Sequence, residues 1–153
     1  MEVTFRIDKK AVYTEVARTS SYTGAKMDND PEAYDRIFTT DEDKSQLERF
    51  WSESCISFCE VMKRFLINDS EIKSEDGITG HRFDFEFSMS FEPALLSSMR
   101  QELFSYFVMN ITAKWYVFTN KNEVSEYSTA AASLLEGIHR KACFKRKPQR
   151  PVY

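Results

Sequence analysis

Two pairs of soft metal ligands stand four residues apart in this chain: Cys55 with Cys59, and His139 with Cys143. On a helix that spacing puts both side chains of a pair on one face. Two such helices side by side would offer three thiolates and an imidazole, a tetrahedral Cys₃His set that suits zinc. Zinc sites more commonly use Cys-x₂-Cys knuckles. The same residues therefore read more simply as small, partly buried helix residues, with His139 at a helix C-terminus where a cation is favoured.

Other chemistry is thin. His81 and His139 are the two imidazoles, and neither stands beside a Ser or Cys in a recognisable nucleophile signature. The chain has no glycine-rich phosphate loop, no His-Glu-x-x-His and no dinucleotide fingerprint. The acidic groups Asp41/Glu42/Asp43 and Asp28/Asp30 could be imagined around a cation, but they read as a helix start and as solvated loop charges. The expectation is a protein that is not an enzyme and needs no cofactor.

Charge is where the chain departs from an ordinary domain. From His139 onward the charged residues are Arg140, Lys141, Lys145, Arg146, Lys147 and Arg150, with no Asp or Glu. Those six come out of a total of 21 Lys+Arg, leaving 15 basic against all 24 acidic residues in 1–138, a net −9. The basic run has three readings: a solvated end, a phosphate-neutralising tail in which Phe144 or Tyr153 could stack on bases, or an arm that docks on an acidic protein. An acidic body opposes adhesion to DNA, which ranks the arm first. Its candidate partner-binding residues are Lys145, Arg146, Lys147 and Arg150.

The elements that must carry these residues follow from patterning. The length of 153 residues suits one domain with its own core, and 42% hydrophobic and 14% aromatic residues indicate a globular chain. Only four Gly and four Pro favour long helices. The first residues lack the basic and apolar regions of a signal peptide, no apolar run approaches a membrane span, and three Cys without framework spacing suit a reducing compartment, so a cytoplasmic origin is expected.

Val3, Phe5 and Ile7 predict a short strand, and Asp8 an N-cap for a helix from about Lys9 to Tyr22 stopped by Gly24. Residues 25–32 read as a loop before a helical turn around Tyr34, Ile37 and Phe38. Thr40 with Asp41, Glu42 and Asp43 starts a long helix through Leu47, Trp51, Cys55, Phe58, Met62 and Phe65, ending near Leu66. Asn68–Gly80 reads as an exposed loop or hairpin tip with a turn at Asp76-Gly77. Phe83, Phe85, Phe87, Met89 and Phe91 alternate with polar residues and predict one strand over 82–91, paired with the N-terminal strand, the Ile72 segment or a neighbouring subunit.

Pro93 opens a helix to about Phe118, and Asn120-x-x-Glu123 reads as a capping box for the last helix, through Val124, Tyr127, Ala131, Leu134 and Ile138. The resulting fold class is mainly α, about four helices in a bundle with a small β element. Residues 1–144 form one helical domain with the insert at 68–91, and 145–153 an extended arm stopped from regular structure by Pro148 and Pro151.

Three segments resemble proteins encoded among the structural genes of tailed phages and prophages of gut bacteria: Ala33–Phe38 (AYDRIF), Leu47–Trp51 (LERFW) and Ile111–Asn120 (ITAKWYVFTN). The order of elements is similar to that of head–tail connector (adaptor) proteins. The resemblance implies small, mostly helical subunits with an inserted loop or hairpin, joined as a dodecameric ring beneath the portal, whose C-terminal arm docks on the neighbouring ring. It implies a place in the virion neck, assembly in the host cytoplasm, portal and tail or second neck proteins as partners, passing contact with DNA in the lumen, and no membrane. Only Lys145, Arg146, Lys147 and Arg150 match the arm role, and the 68–80 loop with strand 82–91 the insert. The long aromatic strand and the initial β-strand depart from the pattern, leaving tail terminator or completion protein as a neighbouring role, and a nucleic-acid-binding accessory protein as the alternative from another class.

Overall fold

The computed structural model describes residues 1–26, 39–40 and 43–151, the side chains of 23–26 excepted. Strand β1 (Glu2–Asp8) buries Val3, Phe5 and Ile7 and turns Glu2, Arg6 and Asp8 outward, as its alternation predicts. Asp8 then accepts a hydrogen bond from the Lys10 N–H (3.0 Å), relieving one of the unpaired donors at the start of α1 (Lys9–Lys26). Helix α1 runs on through Gly24, so that glycine is no stop; inside a helix it costs about 1 kcal/mol relative to Ala, which neighbouring turns can absorb. The expected turn around Tyr34, Ile37 and Phe38 lies outside the described residues, as do Asp28, Asp30, Asp41 and Glu42.

At the start of α2 (Lys44–Val61) the Asp43 carboxylate reaches back to the Thr40 N–H (3.0 Å) and hydroxyl (3.2 Å). This is the reciprocal half of a capping box, with Asp in the place usually taken by Glu or Gln. Leu47, Phe50, Trp51, Ser54, Cys55 and Phe58 form the buried stripe. The helix stops at Val61, earlier than the apolar periodicity suggests, because Met62–Phe65 form a turn that delivers Leu66 into the sheet opposite Phe85.

The largest correction concerns the β structure. The chain is a mixed α/β fold, not a helical bundle with a minor strand. Strands β2 (Leu66–Ser74) and β3 (Gly77–Glu86) form a hairpin, and β1 joins it in an antiparallel sheet of order β1-β3-β2. Phe83 lies opposite Phe5 on one side of β3, and Arg82 opposite Ser70 on the other. Both edges of the central strand are thus satisfied within the chain. At the tip, Gly77 adopts φ +128°, where an L side chain would be strained.

The aromatic strand also ends sooner than its alternation. Phe83, Phe85 and Phe87 are buried on one face, but after Glu86 the chain turns, with Phe91 N–H bonded to Ser88 C=O (2.9 Å). Met89 therefore points to solvent, 81% exposed, while Phe91 re-enters the core. Phe58 from α2 packs edge-on against Phe83 and Phe85 (4.8 and 5.7 Å), joining the helices to that face of the sheet.

Pro93 opens a 3₁₀ turn capped by Glu92, which accepts from the Ala94 N–H, and α3 (Leu96–Thr119) follows. Its buried residues run from Met99 to Tyr116 and include Val108, Thr112 and Ala113 beside the expected stripe. That is more than one face, as suits a helix contacting α1, α2 and α4 (Val124–Cys143). Asn120 and Glu123 form a backbone turn (3.1 Å) ahead of α4, whose Glu123 N-cap has no side-chain cap bond, in place of the expected capping box. Ala131, Ile138 and Ala142 are the fully buried positions of α4. Among the described residues no helix is long and apolar enough to cross a membrane.

Candidate interaction surface at the C-terminal arm

Helix α4 ends at Cys143, and Phe144 turns into extended conformation. Two backbone links then tie the start of the arm to the body. Lys145 bridges Phe91, and the Arg146 N–H donates to the Ser90 carbonyl (2.7 Å). Arg146 also reaches Glu92 (3.9 Å), an exposed pair worth at most about 1 kcal/mol. From Lys147 to Pro151 the chain has no regular structure and is exposed.

Lys145, Lys147 and Arg150 form no ion pair among the described residues. Other cations near the end of α4 are already engaged: Arg140 with Glu136 (2.9 Å), and Lys141 with Glu102 and the Ser98 hydroxyl of α3. The expected cationic arm is therefore not one uniform surface. Arg140, Lys141 and Arg146 serve the body, while Lys145, Lys147 and Arg150 present uncompensated charge.

The other candidate residues are separated. Among the described residues no three His, Cys, Asp or Glu side chains cluster as a metal site, so Cys55 and Cys59 do not join His139 and Cys143. Burial pushes the Cys55 thiol up to about 12 and the Cys59 thiol up to about 11. Cys143 is different: exposed, with Sγ 3.8 Å from Nε2 of His139 one turn earlier. His139 in turn lies against the Phe65 ring (centroids 6.2 Å). His81 is buried, bonded to Asp69 of β2 (2.9 Å) and seated on Phe83. Among the described residues His81 is bonded to no hydroxyl or thiol.

Two shallow depressions lie near the end of α4. One, of about 380 Å³, runs between α3 and α4 over Glu102, Gly137 and Lys141. The other, of about 460 Å³, lies at the root of the arm between Arg64, Phe65, Glu86, Phe87, Cys143 and Lys145. Sequence reasoning missed the second one because its walls come from three separated segments. Of the residues that line it, Cys143 and Lys145 are the ones the sequence singles out as candidate site residues, each for a different reason.

No family model matches the chain, and no curated protein or solved structure matches it.

Proposed function

We propose that this protein is a structural subunit of a phage neck ring, joining portal to tail and docking on an acidic partner through its basic C-terminal arm. The observation that carries the reading is the arm's free charge. Lys145, Lys147 and Arg150 are exposed and unpaired among the described residues, on a segment anchored to the body through Ser90 and Phe91. An anchored root limits the conformational entropy lost on docking, and a cationic end on a chain that is otherwise net negative steers it toward acidic protein surfaces. The β2–β3 hairpin between α2 and α3 supports the same reading: β2 is exposed along most of its length, so it adds little to the core and is available to a neighbour.

The test is co-expression of the full chain with the products of adjacent genes, followed by electron microscopy and mass measurement. Rings of uniform copy number on a larger platform are expected, and the triple variant K145E/K147E/R150E should fail to dock while melting at the same temperature. A strict monomer that ignores those neighbours at low salt would refute the reading. Salt-sensitive binding of the intact protein to double-stranded DNA would favour a nucleic-acid accessory role instead.

A further inference from the structure

We propose that Cys143 is a site of thiol modification by small anionic disulfides, served by His139 and by the cationic groove at the root of the arm. Three independent features meet there. First, the Cys143 thiol is exposed, whereas Cys55 is buried and Cys59 half-buried beside the sheet. Second, Nε2 of His139 lies 3.8 Å from Cys143 Sγ, at the distance of a weak S–H···N contact, and the Phe65 ring flanks that imidazole. Third, the thiol opens on a groove of about 460 Å³ in which Arg64 and Lys145 supply positive charge. That volume falls in the range of about 300–1,000 Å³ occupied by small-molecule sites.

Among the described residues the one acid lining the groove, Glu86, is held by the N-terminal ammonium group at 2.6 Å, which leaves Arg64 and Lys145 to set the sign of the field. Such a groove favours a reagent bearing carboxylates, such as a disulfide of a small acidic peptide. Arg64 also lies over the Phe65 ring (5.8 Å), so its guanidinium is held at the rim.

The reaction balances without a further oxidant. The Cys143 thiol passes its proton to His139, and the sulfur attacks one sulfur of the reagent disulfide. That S–S bond breaks, a mixed disulfide forms on Cys143, and the second sulfur leaves as a thiolate that takes up the proton. The protein thiol is oxidised and half of the reagent is reduced. The inference stands on the groove and does not depend on the assembly role.

The full chain should be treated with oxidised glutathione, which is anionic, and in parallel with cystamine, which is cationic, with adducts read by intact mass and peptide mapping. A single adduct on Cys143 is expected in the native protein, and labelling of all three cysteines once it is unfolded, which doubles as a check of the fold. Glutathione disulfide should react faster than cystamine at low salt, and R64E/K145E should shift the ratio of the two rates by about tenfold or more toward cystamine. H139A should slow both reagents alike, while the ratio between them stays as in the parent. Labelling of Cys59 before Cys143, or a charge preference unchanged by R64E/K145E, would overturn the proposal.

Discussion

At the scale of single residues, packing is unequal in ways that make sharp predictions. Gly80 lies opposite Asp8 in the β1–β3 ladder, and a Cβ there would sit 2.2 Å from the Ile7 carbonyl oxygen. Backbone cannot yield to that, so Gly80→Ala should cost about 3 kcal/mol or more, read as a lowered urea midpoint. Gly137 is the counterexample. A Cβ there meets only the far end of Glu102 (2.9 Å), a movable side chain, and Ala gains about 1 kcal/mol of helix propensity, so Gly137→Ala should be near neutral. Phe85 is fully buried between Phe5 (5.5 Å) and Phe58 (5.7 Å), and Phe85→Ala should cost about 3–5 kcal/mol by the same assay.

At the scale of elements, β1 and β3 are tied by polar contacts as well as by their aromatic face. The Thr4 hydroxyl donates to Asp84 across the pair (2.7 Å) and Arg82 adds a second bond (3.0 Å), which together hold the Asp84 carboxyl below the usual carboxylate range. A carboxyl depressed in the folded state contributes stability that is present above its unfolded value of about 3.9 and lost as the pH falls through the lower folded value. Asp84→Asn should therefore melt lower than the parent near neutral pH, with the difference shrinking below about pH 4, in thermal scans across that range. The hairpin itself was only half legible. Its turn was marked by Asp76-Gly77, but β2 is exposed on both faces for most of its length and so carries no alternation to read. Its strand character comes from pairing with β3, a non-local cause.

At the scale of the whole molecule, the boundary between body and arm is set by two contacts that no residue-type argument contains. Among the described residues, truncation after Arg146 removes only exposed ones, and it should leave the melting temperature unchanged. Truncation after Phe144 also removes the Lys145–Phe91 bridge and the Arg146–Ser90 hydrogen bond, and should lower stability by about 1–2 kcal/mol. The two variants, compared in urea, locate the root of the arm. Truncation after Arg146 removes Lys147 and Arg150 but keeps Lys145, and truncation after Phe144 removes all three cations, so docking should weaken in the first and fail in the second.

What the sequence determined by itself was local: the buried stripe of α2, the alternation of β1, the aromatic face through Phe87, and the concentration of cations after His139. Each follows from spacing or charge that a short segment carries on its own. The tertiary structure decided the rest. It made a third strand out of polar residues and turned Met89 outward while Phe91 turned in. It also divided three chemically identical thiols into one buried, one half-buried and one open on a cationic groove. Those outcomes depend on which distant segments meet, and a residue's neighbours in space set its burial and its field.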